Sequence, residues 1–200
     1  VIIGGIEASM RRLPYYDFWD NRLRRSILLD SKADLLVYGM GERQAGEIAL
    51  RLDSRRGLSG IPGTVEIASS PPEGAVMLPS EEGVLGGRED FMEQYRALFR
   101  DGEKVLAQPT ARRFLIHHPP SHMSPHELDA VFALPFTRLP HPSYGKAAIP
   151  AFVMIRCSVT SHRGCVSGCS FCSLALHQGK RVISRSVESI LNEVETIASM

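Results

Sequence analysis

The chain has 200 residues, 44% of them hydrophobic, and a formal net charge of +1. That is room for one or two domains with real cores, and the even charge balance makes no electrostatic case for nucleic acid. No stretch approaches the roughly 20 apolar residues of a membrane span, and the opening Val1-Ile2-Ile3-Gly4-Gly5 has neither the charged region nor the long apolar run of a signal peptide.

Val1-Ile2-Ile3 reads as a buried strand entered partway, ended by Gly4-Gly5. Residues 34–38 form a second apolar run, ended by Gly39-Met40-Gly41. A helix is predicted after it, with Ile48, Ala49 and Leu52 on one face. Strand, glycine turn and helix is the pattern of parallel α/β sheets. The glycines stand where such folds bind ligands, at strand carboxyl ends facing helix amino ends, although turning the chain is sufficient reason for them.

Residues 11–25 are rich in arginine and aromatics, including Arg11, Arg12, Tyr15, Tyr16, Phe18, Trp19, Arg22, Arg24 and Arg25. A solvated helix face with an aromatic anchor is preferred here over a nucleic-acid surface. Glycine and proline recur through 58–87, which predicts a connector with one or two short strands, one of them at 64–67. Phe91, Tyr95, Leu98 and Phe99 recur at helical spacing and predict an amphipathic helix over 88–100. Residues 114–116 read as a strand. Ser124-Pro125-His126-Glu127 is a helix start, with an N-cap serine, proline at the first position and glutamate three residues after the cap; the helix runs to about residue 134.

His117, His118, His122, His126 and His141 lie among prolines without a repeated ligand spacing, so they read as solvated loop histidines rather than a metal site. Residues 135–150 form a proline-rich linker. Val153, Ile155, Cys157 and Val159 alternate, which predicts a strand over 151–160. Ser186 caps a helix with Ile190, Leu191, Val194 and Ile197 on one face. Strand, long loop and helix is the grammar of a first βα unit, with the site at the carboxyl end of the strand. Val1 is not an initiating methionine, and Met200 closes a helical pattern without a stop signal, so the chain reads as an internal piece of a longer protein.

Three of the four cysteines fall within Arg163-Gly164-Cys165-Val166-Ser167-Gly168-Cys169-Ser170-Phe171-Cys172, at the spacing C-x₃-C-x₂-C. Clustered thiols without an export signal favour a reducing cytosol and a metal over a disulfide scaffold. Thiolates are soft ligands, and one loop of three suits three irons of a cubane cluster, leaving the fourth iron open for chemistry. Gly164 and Gly168 would let the backbone wrap closely around it. Structural zinc is the competing reading. It needs a fourth ligand, for which Cys157 or His162 is available, but Cys157 on the predicted strand reads as a small apolar core residue.

The triplet Cys165, Cys169 and Cys172, with an aromatic before the last cysteine, resembles the radical S-adenosylmethionine (SAM) signature. Residues 1–9, 31–42, 140–144 and 161–172 extend the likeness to the YgiQ family of radical SAM proteins, over nearly the whole chain. The resemblance implies an α/β protein: a Rossmann-like, cobalamin-binding-like domain whose closing part is 1–60, a connecting segment over 61–145, and the start of a partial (β/α) radical SAM barrel over 146–200.

It further implies that Cys165, Cys169 and Cys172 bind a 4Fe–4S cluster and that the open iron takes the amino and carboxylate groups of SAM. The backbone around Phe171 is then near the adenine, and reductive cleavage of SAM gives a 5′-deoxyadenosyl radical. The implied partners are an electron donor such as flavodoxin or ferredoxin and an unknown substrate, in the cytoplasm, with no membrane and no clear nucleic acid. The resemblance leaves room for cobalamin, which has no support in these residues; catalytic residues beyond the cluster ligands are unknown, and this piece is expected to be inactive alone. Two alternatives stand beside this reading. One is a tRNA-modifying methylthiotransferase-like enzyme, which shares the Arg-Gly-Cys opening but carries further cluster cysteines upstream, where this chain has only Cys157. The other is a non-catalytic zinc-binding module.

Overall fold

The computed structural model describes residues Val1–Met200. The chain divides into two compact units, Val1–Ser121 with Gly168–Gly179 and His122–Ser167 with Lys180–Met200. In chain order the elements begin with β1 (Ile2–Ile3), α1 (Ile6–Met10), β2 (Tyr15–Asp17), β3 (Arg22–Arg24), α2 (Ile27–Ser31), β4 (Leu35–Val37) and α3 (Glu42–Asp53). They continue with β5 (Thr64–Ala68), β6 (Val76–Met77), α4 (Glu81–Gly86), α5 (Arg88–Asp101), β7 (Leu106–Pro109), β8 (Phe114–His117) and α6 (Pro125–Phe132). A 3₁₀ turn at Pro142–Tyr144, α7 (Pro150–Ile155), β9 (His162–Arg163), α8 (Leu174–Gln178), β10 (Ile183–Ser184) and α9 (Val187–Ala198) complete them.

The first unit is built on a six-stranded sheet in the order β1-β4-β5-β8-β7-β6. Its edge pairs, β1 with β4 and β6 with β7, are parallel, and the three pairings between them are antiparallel. The sheet is therefore mixed, which corrects the expectation of a parallel one: the chain leaves β4 parallel to β1, but the connection through α3 brings β5 back against the direction of β4. The stretch 58–87, read as a connector, supplies the central strand β5, whose Thr64 and Val65 are fully buried. On one face Ala8, Leu28, Ala33, Leu36, Val65 and Leu115 form the core; Leu35, Val37, Ile48 and Ile61 form a second cluster under α3.

Local signals set several of these elements as expected, and tertiary packing overrode others. β1 forms, but as the edge of the sheet, with Val1 and Ile2 exposed rather than buried. α3 turns Gln44 and Ile48 inward while Ala49 and Leu52 face solvent; Gln44 Nε2 is held by donating to Pro62 O at 2.8 Å. Residues 11–25 do not form a helix face. They make the β2–β3 hairpin, with Tyr15 opposite Arg24 and Asp17 opposite Arg22, turned by Asp17 Oδ1 accepting from Trp19 N at 3.1 Å. An aspartate that bonds its own backbone two residues on competes directly with helix formation. Arg12 is buried beside this hairpin, its guanidinium 4.5 Å over the Tyr38 ring and donating to Ser9 O.

His117 also departs from the solvated-loop reading. It ends β8 at 3% exposure, and burial, with Arg12 and His118 adding like-charge repulsion, pushes its pKa down to about 3. His118 is packed as well, its Nε2 2.6 Å from Glu66 Oε1.

In the second unit α6 starts on the expected capping box, with Glu127 N donating to Ser124 Oγ and Ser124 N donating to Glu127 Oε2. α9 is capped by Ser186, which accepts from Ser189 N at 3.1 Å. The strand expected over 151–160, at the head of a first βα unit, is not formed. Pro150 starts α7 instead, its fixed φ suiting the first helical position, and no strand lies beside this segment to take up a ladder. Cys157 follows α7 exposed, so it is not a core residue. The protein is thus a mixed α/β chain, and no helix is long and apolar enough to cross a membrane.

Candidate metal centre: the cysteine loop and its two arms

The loop leaves β9, which pairs antiparallel with β10, Arg163 opposite Ile183 and His162 opposite Ser184. Gly164 follows directly, at φ +88°. A Cβ there would stand 2.1 Å from Arg181 O and 2.8 Å from Arg181 C, so backbone on one side and the left-handed angle on the other admit only glycine. Cys165 therefore enters the loop from a fixed backbone position. Gly168 is different: no protein atom lies within 4 Å of the place of its Cβ.

The approach to Gly164 is clamped by Arg185, a buried residue just before α9. Its backbone N donates to Ser161 O at 2.9 Å, its Nη1 to Thr160 O at 3.0 Å, and its Nη2 to Ser189 O at 2.8 Å. Glu193 pairs with both Arg185 and Arg138. Phe132 of α6 lies under two guanidiniums, Arg185 at 4.2 Å and Arg163 at 5.3 Å from its ring centre. Charge-assisted hydrogen bonds and cation–π contacts thus fix the strand-like segment that delivers Cys165.

Beyond Gly168 the chain belongs to the first unit. Cys169 and Cys172 are exposed and joined in a tight turn, Cys172 N donating to Cys169 O at 3.1 Å. Phe171 between them is 91% exposed, its ring free of protein packing. α8 follows at once, and its His177 Nδ1 lies 2.9 Å from Ser9 Oγ. Burial lowers the pKa of His177, with Glu42 opposing.

All four cysteines are free thiols. Cys165 falls in the second unit and Cys169 and Cys172 in the first, and in neither unit are three His, Cys, Asp or Glu side chains gathered as a metal group. The donor set has the chemistry of a cluster held by three thiolates: three free thiols on one loop, two of them open to solvent. Of the two candidate fourth ligands for structural zinc, Cys157 and His162, both are exposed, and His162 Nδ1 lies 2.9 Å from Ser161 Oγ.

Four residues that shape this region were not singled out by any site motif: His177, Arg185 and Glu193, and Ser9, which stands only within a stretch of family likeness.

The sequence model of the radical SAM N-terminal family matches residues 1–158. A UPF0313 protein of Geobacter sulfurreducens is 47% identical over the whole chain, which covers 35% of that relative. UPF0313 proteins of Methanocaldococcus jannaschii and Rhodopseudomonas palustris are 40% and 41% identical, each over 98% of this chain and 34% of its own length. The chain thus spans about a third of the length of the curated relatives it matches. The family match stops before the cysteine loop, but the Geobacter relative aligns through it. With its sheet, its loop and these likenesses, the chain belongs to the radical SAM N-terminal family, among the YgiQ-like UPF0313 proteins.

Proposed function

We propose that the protein of which this chain is part is a radical SAM enzyme. Cys165, Cys169 and Cys172 would hold three irons of a 4Fe–4S cluster, and the backbone around Phe171 would lie beside the adenine of SAM. The single observation that carries this reading is the set of three free thiols on one loop whose first arm is locked by Gly164 and Arg185. When bound, the group would supply one electron to the sulfonium of SAM, the chemistry that splits it at its C5′–S bond into methionine and a 5′-deoxyadenosyl radical able to take hydrogen from a substrate.

The protein's own residues do the placing. Gly164 and the Arg185 clamp hold the backbone from which Cys165 projects. The turn between Cys169 and Cys172 sets the spacing of the other two thiols. Phe171 offers an exposed aromatic face and a free backbone edge to a ligand. On this reading residues 1–60 are the closing part of a Rossmann-like domain, which the parallel β1–β4 pair with its glycine turns supports, and 146–200 open the radical SAM domain. The exposed thiols suit a reducing, cytoplasmic setting with a small redox protein such as flavodoxin or ferredoxin as electron donor.

Anaerobic reconstitution of the full-length protein tests the assignment. About four irons and four sulfides per chain are expected. Cys165→Ala, Cys169→Ala and Cys172→Ala should each abolish the cluster, and Cys157→Ala should leave it. Iron and sulfide retained by the triple alanine variant, or stoichiometric zinc in their place, would overturn the reading.

A further inference from the structure

We infer that Ser9 and His177 form a positioning contact that ties the Cys169–Cys172 arm of the loop to the glycine turns at the carboxyl ends of β1 and β4. The inference rests on the cluster reading above and adds two residues to it. Ser9 is 1% exposed, yet its hydroxyl is a hub for three partners. It lies 3.0 Å from Gly5 O, 2.9 Å from Gly39 N and 2.9 Å from His177 Nδ1. A serine hydroxyl has one proton and two lone pairs. If the proton goes to Gly5 O, the lone pairs accept from Gly39 N–H and from His177 Nδ1–H. The three contacts then use the hydroxyl completely and assign the Nδ1–H tautomer to His177.

One oxygen therefore joins three points distant in sequence: the turn after β1, the turn after β4, and the helix behind the cysteines. The backbone makes the same junction. Gly39 has φ +74°, and a Cβ on it would stand 3.4 Å from His177 O, so the β4 turn packs directly on α8. α8 has only five residues and no side-chain cap. A helix of that length has no stability of its own in water, so tertiary contact must hold it. It starts two residues after Cys172, and with no other element between, the position of α8 sets that of the exposed Cys169–Cys172 turn. Ser9 and His177 are accordingly positioning residues: they act through the backbone of α8 and touch no reacting group.

The test uses full-length protein, reconstituted anaerobically, with Ser9→Ala, His177→Phe and His177→Asn. The asparagine carries an N–H near the place of Nδ1–H, so it can restore the bond to Ser9. Three readings are taken: amide hydrogen exchange over residues 168–179, the rate at which a chelator strips iron, and the electron paramagnetic resonance spectrum of the reduced cluster with SAM. Ser9→Ala and His177→Phe should speed exchange in 168–179 and lose iron about 10-fold faster, as loss of outer support around a metal does. They should also alter the SAM-dependent spectrum, with the double variant no worse than either single one. His177→Asn should recover the wild-type spectrum. Wild-type exchange and spectrum in both disruptive variants would overturn the contact while leaving the cluster reading intact. Absence of any 4Fe–4S cluster in the wild-type protein would overturn the cluster reading, and the positioning role with it, whatever the exchange shows.

Discussion

The two units of the molecule are held together by different physics. Every buried apolar side chain except Leu128 belongs to the first unit, where the sheet sets Leu28, Leu36, Val65 and Leu115 against one another. The second unit buries Arg185 instead, with Glu193, Arg138 and the Phe132 ring around it. It leaves Val153, Met154 and Ile155 of α7, and Leu191 and Val194 of α9, exposed. Apolar burial is additive and non-directional, so the sheet tolerates small shifts. A buried ionic clamp works only in one geometry, so it specifies a backbone position at little net gain in stability. That is a suitable trade for the arm that delivers Cys165, one of the three thiols of the proposed cluster.

The largest effect should come from the sheet. Leu115→Ala removes a fully buried side chain from its centre and should cost about 4 kcal/mol by urea denaturation. If the loss is under about 1 kcal/mol, the first unit is not organised around this core.

Next in size, Arg185→Ala should cost about 3 kcal/mol of local stability, the lower end for breaking a buried pair, since Arg138 still faces Glu193. The comparison sharpens if hydrogen exchange rises over β9, β10 and α9 while the sheet amides stay protected. Exchange rising equally in both units would show that the clamp is not local to the second.

A pH experiment separates the units by a third route. Burial holds His117 neutral, its pKa down to about 3 from the ordinary 6.5. Below 6.5 the unfolded chain takes up a proton that the native chain refuses. This group therefore removes stability as pH falls from 6.5 toward 3 and has no effect above 6.5. Near pH 5.5 the loss should be about 1.4 kcal/mol, and His117→Leu should abolish that share of the acid sensitivity of the first unit. Equal acid sensitivity in the variant and the parent would mean that His117 gains a partner that protonation does not disturb.

The smallest effect concerns a helix end. Ser124→Ala removes the capping box of α6 and should cost about 1 kcal/mol, confined to the second unit. Unchanged amide hydrogen exchange over α6 and α9 in the variant would place α6 outside the cooperative core of that unit.

Much of the local structure was legible because its cause is local. The capping box at Ser124, the Ser186 cap and the amphipathic run of α5 depend on neighbours within a few residues; the apolar runs of β4 and β8 mark buried strands, although their shared partner β5 lies far along the chain from each. The hairpin over 15–24 is not legible from the spacing of its arginines and aromatics, because the group that turns the chain is the carboxylate of a single residue, Asp17. In α5 the expected face shifted: Gln94 and Ala97 are buried while Phe99 is exposed. Gln94 goes inside because its amide has partners there, donating to Pro14 O and accepting from Gln108 Nε2, and hydropathy alone does not register such partners. The alternation over 151–160 was real but insufficient. A strand exists only when another strand completes its hydrogen bonds, and none does here.

The cysteine motif, its spacing and the glycine before its first cysteine stand in the sequence itself, because thiol chemistry and left-handed backbone are properties of residue type and order. The mixed direction of the sheet, the burial of His117 and Arg12, the clamp of Arg185 and the joining of Ser9, Gly39 and His177 exist only in three dimensions. Each depends on groups far apart in the chain: Ser9 and His177 are separated by 168 residues. No local pattern encodes such a meeting, since the entropy of bringing those segments together is overcome only when the whole core closes around them.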